Sequence, residues 1–540
     1  MDGPRRNATW DSQYQRARHP RHARYNQARY RMCLVVLVCV AGLVAFGSTL
    51  SALVALQEVQ TLIEMLRGPT TGADWTQFGF DASATRNNPV ETHITAANVA
   101  SLSLRWRLRL PEIADSTPAF LHALRFPDGR TRDVLYLTTR TGGLIAVDAD
   151  AGAVLWQRMY PVFDPAKITT SSPAVDAARG VVYGYAMDGK VHKYDAITGK
   201  ERHDGGWPIR ITTMRASEKA SSALTISHGF LYATTASYGG DAPPYQGHVV
   251  AITLANGTTR VFNAVCSNLT HLLAPDECRD NGAGIWARPG AVVDPLTGNI
   301  FVTTGNAPYT ADRGGHDWGD SVLELTPDGG RLVDSYTPRS PDDLYLQDLD
   351  LGSAAPALLP AIAHSSIPYL AIQAGKDGEL RLLNRRNLSG QGSPGHLGGE
   401  LQTLDAPDHC PVLTQPAVWT DQRTGAVWAL VTSGCAIGGY QVSAGKDGTP
   451  RMRLAWIVHS GATSPIVAGG VLFAATTGDK AILALDPRRG RQLWTSGGPH
   501  AGGTIGYTHW ENPIVVNGRL YCTDENGDLL AYSLSSQPRR

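Results

Sequence analysis

Short apolar runs joined by polar turns recur along most of the chain. In each copy apolar residues alternate, a turn of Asp, Asn or Gly follows, and a second run often ends near a Trp. Alternation interrupted by such turn residues predicts β-hairpins. The clearest copies are GGLIAVDADAGAVLWQ from Gly142, GKVHKYDAITGKERH from Gly189, GHVVAITLANGTTRVF from Gly247, KAILALDPRRGRQLWT from Lys480 and the shorter GDLLAYSL from Gly527.

Two more short strands precede each hairpin, so the repeating unit has four strands in roughly fifty residues. Self-similarity at this period predicts a propeller, because one four-stranded sheet cannot bury both faces until neighbouring sheets stack against it. A solenoid is the alternative, but it needs capping elements at its termini, and none is evident. The eight units start near Thr117, Ser171, Ala220, Arg288, Ser353, Gln415, Ser464 and Asn512.

The two ends of the repeat region are complementary. The eighth unit stops after three strands, at GDLLAYSLSSQPRR, while Leu102 to Leu110 is an unpaired strand ahead of the first unit. Pairing the two would close the ring without an exposed edge. The pattern therefore predicts an all-β fold, an eight-bladed β-propeller with four-stranded antiparallel blades, over residues 74–540.

A basic tail and an apolar segment precede this region. Residues 1–31 carry eight arginines against Asp2 and Asp11, and residues 32–56 contain no charge. The apolar run is long enough to cross a membrane as one helix, and the arginines place the N-terminus in the cytoplasm. We expect a single-pass transmembrane helix, a stalk or linker over residues 57–73, and an extracytoplasmic propeller. A cleaved signal peptide is the alternative, although its apolar core is usually shorter.

Charge and cysteine content narrow the choice of function. Lys plus Arg and Asp plus Glu both number 48, so the chain has no basic excess that would indicate nucleic-acid binding. Cys266 with Cys278, and Cys410 with Cys435, are plausible disulfides in an oxidising compartment, which leaves Cys522 over. No C-x-x-C-H motif is present, which argues against covalently attached c-type haem.

The repeated pattern A-x-D-x-x-x-G-x-x-x-W, seen from Ala146 to Trp156 with Asp148 and Gly152 inside it, resembles the pyrroloquinoline quinone (PQQ) repeat of quinoprotein alcohol dehydrogenase-like propellers. The likeness runs from Trp75 to about Leu534. In that family the same repeat occurs in PQQ-dependent dehydrogenases and in propellers without a cofactor, such as outer-membrane assembly lipoproteins. The resemblance thus implies the fold, while the function depends on the site.

The resemblance also implies positions for a cofactor, because the family holds calcium and the planar quinone in the central funnel. Trp286, in GIWARPG, is similar to the Trp that forms the floor under the quinone. Asn306, in TTGNAP, resembles a calcium ligand, and Lys376, in QAGKDG, resembles the basic residue that contacts the quinone oxygens. Ser171 and Ser172 stand in the region where the dehydrogenases usually carry two adjacent cysteines.

Two acidic roles of the family are harder to place. The glutamate that usually completes the calcium site is missing, and Asp241 is the nearest acid, although a hard dication needs several oxygen ligands. The aspartate that takes the alcohol proton falls within TPRSPDDLYLQDLDLGS. The candidates for this base are Asp342, Asp343, Asp348 and Asp350. Burial would shift the pKa of one of these aspartates and so suit it to act as a base.

Two functions follow as hypotheses. The first is a membrane-anchored oxidoreductase that oxidises an alcohol or sugar hydroxyl with PQQ and calcium and passes electrons to a separate cytochrome or quinone. The second is a non-catalytic propeller that binds protein or glycan at the cell envelope.

GGHDWGD from Gly314 and YTHWEN from Tyr507 place His beside Trp and acids, a combination that suits a metal or a sugar. The long polar loop within Gly298 to Gly330 is where a ligand or partner is expected.

Overall fold

The computed structural model describes residues 72–161 and 164–535. The predicted cytoplasmic tail, the membrane span and all but the last residues of the linker lie outside the described residues. Within those two ranges, no helix has the length and apolarity required to span a membrane.

Eight antiparallel sheets of four strands form the propeller, as predicted. In each of five neighbouring pairs of blades, the first strands of the two blades contact one another, which places these strands around a common axis. Blades are numbered in chain order. The strands of blades 1 and 2 are Ala119–Arg125, Thr131–Thr138, Leu144–Asp148 and Ala153–Arg158, then Ala174–Asp176, Val181–Ala186, Lys190–Asp195 and Ile209–Arg210. Those of blades 3 and 4 are Thr225–Ser227, Phe230–Thr234, His248–Thr253 and Thr259–Asn263, then Val292–Val293, Ile300–Thr303, Val322–Leu325 and Leu332–Tyr336.

The second half of the ring repeats the arrangement. The strands of blades 5 and 6 are Ala357–Leu358, Leu370–Ala374, Glu379–Asn384 and Gln402–Asp405, then Ala417–Thr420, Val427–Thr432, Ile437–Ala444 and Pro450–Val458. Those of blades 7 and 8 are Ile466–Ala468, Val471–Ala475, Ile482–Leu485 and Gln492–Thr495, then Ile514–Val516, Arg519–Thr523, Asp528–Leu534 and Leu102–Arg109. Each blade begins within a few residues of the predicted start of its unit.

Strand Leu102–Arg109 completes blade 8 from the other end of the chain, which confirms the predicted closure. It pairs antiparallel with Asp528–Leu534, from Leu102 opposite Leu534 to Arg109 opposite Asp528. Because a closed ring has no free sheet edge at the joint, both ends of the repeat region are protected from pairing with another chain.

Helices and short strands occupy the connections. The one α-helix among the described residues, α1, spans Pro341–Gln347, and a two-stranded ribbon pairs Glu218–Lys219 with Ala236–Ser237. The 3₁₀ turns are Val99–Ser101, Asp204–Gly206, Ala311–Arg313, Leu351–Ser353 and Pro407–His409.

The Trp and Gly of the repeat join neighbouring blades. In three cases a Trp on the outer strand of one blade covers the turn Gly of the next, and the indole N–H donates to a carbonyl oxygen of that turn. These glycines have positive φ, and a Cβ atom at any of them would lie within 2.6 Å of the indole ring. The pairs are Trp106 with Gly152, Trp156 with Gly199 and Trp456 with Gly490. The spacing of Gly and Trp in the repeat therefore determines how the Trp of one blade packs against the turn of the next.

The segment ahead of the closing strand crosses the centre of the ring. Residues 75–88 exchange backbone hydrogen bonds with the first strands of blades 1, 2, 4, 6 and 7, and Asn87–Asn88 adds a parallel strand to blade 7. This segment carries Phe78 and the fully buried Arg86, whose guanidinium carbon lies 4.6 Å from the centre of the Phe78 ring. The segment therefore packs against the first strands of five blades, a feature the repeat pattern does not predict.

Both predicted disulfides are present, Cys266–Cys278 and Cys410–Cys435, and Cys522 is buried within blade 8.

Substituting Ala for Gly199 tests the packing of Trp156 on this turn glycine, with Gly180 as a matched control. Gly199 and Gly180 both lie in blade 2 with φ of +63°, but a Cβ at Gly199 would be 2.5 Å from Trp156 and one at Gly180 meets nothing within 4 Å. We expect Gly180→Ala to cost about 1 kcal/mol from the left-handed backbone alone. Gly199→Ala should cost roughly 1–3 kcal/mol more because Trp156 must move.

Denaturant midpoints of the two variants measure this difference. Equal midpoints would show that the indole contact does not hold the blades together.

Candidate functional site

A cavity of about 370 Å³ opens where connections of blades 3, 4, 5 and 8 meet. Trp286 lies just before the first strand of blade 4, and Asp350 just before that of blade 5. Lys376 follows the second strand of blade 5, and Trp510 precedes the first strand of blade 8. The propeller therefore brings together residues that are far apart in the sequence.

Lys376 links two carboxylates on the blade 5 side of the cavity. Its Nζ contacts Asp350 Oδ2 and lies 2.7 Å from Asp348 Oδ1, and it also lies 5.4 Å from the centre of the Trp286 ring. Burial lowers the pKa of Lys376, but the charges and hydrogen bonds of the two aspartates outweigh burial and raise it. Lys376 is therefore a charged ammonium between a carboxylate pair and an aromatic face.

The two aspartates differ in burial. The side chain of Asp350 is 5% exposed and that of Asp348 is 69% exposed. Burial raises the pKa of Asp350, although Lys376 opposes the shift. A buried carboxylate with a raised pKa is suited to accept a proton, which favours Asp350 among the predicted bases.

Asn306, in the blade 4 loop, contacts the carboxylates of Asp241, Asp348 and Asp350, which we call the acidic group. Its backbone N–H donates to Asp350 Oδ1 at 2.6 Å. Its side-chain amide donates to Asp348 Oδ1 at 2.8 Å and to Asp241 Oδ2 at 3.3 Å. The amide oxygen of Asn306 is buried and has no hydrogen-bond partner among the described residues. Asn306 therefore contacts all three carboxylates, including that of Asp241, the other predicted metal ligand.

Gly305 allows this close approach. A Cβ atom there would lie 2.2 Å from Asp350 Oδ1 and 3.2 Å from Trp286 Nε1. The Gly-Asn pair is thus a site element and not only a turn.

Aromatic side chains form further walls of the cavity. The rings of Trp286 and Trp510 are 6.3 Å apart and nearly perpendicular, at 74°. Tyr245 also lines the cavity, and its hydroxyl donates to Asp241 Oδ1 at 2.6 Å. Two indoles and a phenol provide apolar faces for a flat ligand.

The inner wall of the cavity is cationic. Arg288 is fully buried, and its Nη1 donates to the carbonyl oxygen of Thr170, but Nε and Nη2 have no hydrogen-bond partner within the described ranges. Lys219 Nζ donates to the carbonyl oxygen of Ile168 at 2.7 Å. Burial lowers the pKa of Arg288 to about 10 and that of Lys219 to about 8. Buried donors without partners are costly, so this wall is suited to an anionic group.

Several predicted residues lie away from the cavity. Asp342 and Asp343 occupy the first turn of α1 and are exposed. Asp348 and Asp350 follow the helix, and it is these two that line the cavity. Ser171 and Ser172 are buried without lining the cavity, and Ser172 Oγ accepts a hydrogen bond from the backbone N–H of Thr117.

The long polar loop has two parts. It joins the second and third strands of blade 4, and Asn306 near its start reaches the acidic group. Farther on, Trp318 Nε1 donates to Ser267 Oγ beside the Cys266–Cys278 loop, and His316 is exposed. The first part of the loop therefore serves the cavity, and Asp320 at its far end accepts a hydrogen bond from the backbone N–H of Leu351, next to Asp350.

Sequence reasoning missed Lys219 and Arg288 as site residues, and it noted Trp510 only within YTHWEN, as part of a metal or sugar site. Each lies close to the start of a predicted unit, where the chain enters the first strand of a blade. Because these entry points surround the axis, charged or aromatic residues at unit starts were the available signal.

Two family models match the chain. Residues 75–392 match the model described as "Glucose/ethanol/alcohol dehydrogenase, beta-propeller domain". Residues 418–537 match the model described as "Outer membrane protein assembly factor BamB".

Curated relatives include quinone-dependent dehydrogenases. The chain is 27% identical over 350 residues to Quinohemoprotein alcohol dehydrogenase ADH IIB of Pseudomonas putida, covering 58% of this chain and 46% of that protein. It is 23% identical over 464 residues to the dehydrogenase subunit of Alcohol dehydrogenase (quinone) of Gluconobacter oxydans, covering 78% and 57%. The chain therefore spans about half the length of these relatives.

Solved structures share the fold. A quinohemoprotein alcohol dehydrogenase from Comamonas testosteroni has a TM-score of 0.61 at 17% identity, covering 86% of this chain and 81% of that one. A europium-containing methanol dehydrogenase has a TM-score of 0.63 at 16% identity, covering 88% and 100%. At these identities the likeness shows the fold alone.

The cationic wall predicts pH-dependent anion binding. We expect benzene-1,3,5-tricarboxylate to quench tryptophan fluorescence by binding near Trp510, with an affinity that falls as the pH rises above about 8, where Lys219 loses its proton. Lys219→Met should weaken binding roughly tenfold at pH 7, the equivalent of one charge-assisted hydrogen bond, and abolish this pH dependence.

Lys446→Met is the control, because Lys446 is exposed on a turn of blade 6. Binding that is independent of both pH and Lys219 would contradict the assignment.

Proposed function

The chain belongs to the glucose/ethanol/alcohol dehydrogenase β-propeller family, and on this premise we propose that it oxidises the hydroxyl group of an alcohol or sugar with PQQ and calcium. The observation that carries the proposal is that Asp350, Lys376 and Trp286 line one cavity while Asn306 contacts Asp350. These four residues come from two blades and have the chemistry that alcohol oxidation needs. Relatives named as quinone-dependent alcohol dehydrogenases support the same activity.

The cavity suits PQQ, a flat and polyanionic quinone. Trp286 and Trp510 offer aromatic faces, and the unpartnered N–H groups of Arg288 are matched by carboxylates. Lys219 adds a second cation on the same wall. Arg288 and Lys219 would therefore hold the acidic groups of the cofactor, and Lys376 would be the cation available to its quinone oxygens.

The acidic group suits a calcium ion by charge and ligand type. Lys376 offsets the charge of Asp350, the proposed base, so that ionised Asp241 and Asp348 leave two negative charges for a divalent cation. The unpartnered amide oxygen of Asn306 is a further hard ligand. Asp241 thereby supplies a carboxylate from blade 3, where the family's glutamate is missing.

Each residue has a role that follows from its contacts. Asp350 accepts the hydroxyl proton of the substrate, because it is buried and its pKa is raised. Lys376 orients that carboxylate, and Asn306 fixes it through the backbone N–H. When bound, the quinone accepts two electrons and the metal polarises its carbonyl.

Location and partners are also proposals. The apolar segment over residues 32–56 and the arginines before it support a membrane-anchored protein with an extracytoplasmic propeller. The two disulfides favour an oxidising compartment. Electrons would leave to an external cytochrome or membrane quinone.

A non-catalytic scaffold is the second candidate. The match of residues 418–537 to an outer-membrane assembly factor favours it for blades 6 to 8. This role requires no cofactor, so reconstitution separates the two functions.

Reconstitution of the full-length protein with PQQ and calcium tests the proposal. We expect substrate-dependent reduction of an artificial electron-acceptor dye by at least one member of a panel of alcohols and sugars, and loss of this activity on chelation of the metal. An absence of both PQQ binding and dye reduction across the panel would leave the scaffold function.

Asp350→Asn should lower kcat about 10²- to 10⁴-fold, because the amide cannot accept the hydroxyl proton. Asp343→Asn, a change at an exposed position on α1, should leave kcat within twofold of wild type. Steady-state dye reduction measures both variants. If Asp343→Asn lost activity while Asp350→Asn kept it, Asp343 and not Asp350 would be the base.

The pH profile should report Asp350 directly. The base must be ionised, so activity is lost as the pH falls through its raised pKa. Lys376 lowers the pKa of Asp350, so Lys376→Met should move the acid limb of the kcat/KM profile to higher pH, apart from any loss of rate. An acid limb that stays in place would show that another group is titrating.

A further inference from the structure

A histidine–aspartate pair stands at the blade 8 end of the cavity. His509 lies in the loop before the first strand of blade 8 and lines the cavity beside Trp510, with 4.9 Å between their ring centres. Its Nδ1 is 2.7 Å from Asp115 Oδ2, and its side chain is 45% exposed. Nε2 has no hydrogen-bond partner among residues 72–161 and 164–535. One side chain thus contacts both the cavity and solvent.

Asp115 is fixed as an anion beneath this imidazole. It is fully buried, and its Oδ1 accepts a hydrogen bond from the backbone N–H of Trp510 at 3.1 Å. Burial raises the pKa of Asp115, but the hydrogen bond and charge of His509, together with Arg288 and Arg140, lower it below its ordinary value. An ionised Asp115 keeps the proton on Nδ1 of His509, which leaves Nε2 as the position that exchanges protons.

The other charged groups around the pair neutralise one another. Arg140 Nη2 donates to both carboxylate oxygens of Glu525, at 2.5 and 2.6 Å, and lies 3.4 Å from Asp115. Burial raises the pKa of Glu511 well above its ordinary value, with the charges of Asp115 and Glu525 adding to the shift.

Ligand atoms of Asp115, His509 and Glu525 lie within 4.8 Å of one another, a spacing that a metal ion could use. The guanidinium of Arg140 already bridges the two carboxylates, so the cluster needs no cation.

We propose that His509, oriented by Asp115, is a second acid–base group of the cavity, which carries a proton between the bound ligand and solvent. The proposal rests on the proposed alcohol oxidation. That reaction breaks one C–H and one O–H bond, forms a C=O π bond, and releases two electrons and two protons. A quinone, when bound, would take up the two electrons, and two equivalents of an external one-electron acceptor, such as the dye, would remove them.

The second proton needs a route of its own. Asp350 can accept only one proton, and its side chain is nearly closed to solvent. The hydrogen of the broken C–H bond, which is transferred with the electron pair, is released as a proton when the electrons pass to the external acceptor. His509 carries an imidazole that lines the same cavity and also reaches water.

The orientation of His509 can be tested in the protein without cofactor. In full-length protein labelled with ¹⁵N-histidine, NMR should show the neutral imidazole of His509 protonated at Nδ1, and Asp115→Asn should remove this preference for one tautomer, because the carboxylate that accepts from Nδ1 is lost. His500, an exposed residue in the same loop, should be unchanged. A proton on Nε2 in the wild type would overturn the assignment.

Proton transfer is tested by stopped-flow measurement with a pH indicator. In reconstituted protein, His509→Gln should slow proton release after oxidation by the dye about 10²-fold. Single-turnover reduction by the alcohol should stay within twofold, because Asp350 is intact. His500→Gln should match the wild type in both steps. Proton release at the wild-type rate in His509→Gln, or an equal loss in both steps, would refute the role.

Chemical rescue separates this role from a structural one. Because His509 is half-exposed, free imidazole should restore proton release in His509→Ala, whereas a packing defect would not respond. If no alcohol reduces the wild-type protein, the proposed function fails and this role with it. If the wild type turns over and imidazole has no effect on the variant, this inference alone fails.

Discussion

The pairing of Leu102–Arg109 with Asp528–Leu534 is the constraint on which the rest of the propeller depends. Four-stranded sheets stacked in a row expose the outer faces of the first and last sheets, and closure removes both. Once the ring is closed, the first strand of every blade has a fixed distance from the axis. Connections from blades 3, 4, 5 and 8 then meet at one place, although their residues are separated by up to several hundred positions.

Tryptophan docking gives the ring its angular spacing. Trp106, Trp156 and Trp456 each cover a turn Gly of the next blade, and the contact has room for no side chain at that Gly. A displaced blade would shift the loop that it contributes to the cavity. Docking far from the axis and the geometry of the site are therefore linked through rigid sheets.

Charge is concentrated where the chain is most buried. The guanidinium carbons of Arg86 and Arg288 lie 4.6 and 5.9 Å from the centre of the Phe78 ring, and within the described residues each guanidinium keeps N–H groups without partners. Buried cations of this kind destabilise the fold unless a ligand or internal water meets them. The proposed anionic ligand would offset this cost at Arg288, which is a reason to regard the cavity as a binding site.

Local sequence determined the repeat, its eight units, the closing strand and the disulfide pairs, because turn residues, alternation and cysteine spacing act over short distances. It also singled out Trp286, Asn306 and Lys376 through family resemblance. Only tertiary structure decided which acids serve the site: Asp348 and Asp350 contact Lys376, whereas Asp343 remains on the exposed face of α1. It likewise joined Asp115 to His509 across almost the whole chain. The physical reason is that burial, and with it pKa and hydrogen-bond partners, is set by the closed ring and not by neighbouring residues in the sequence.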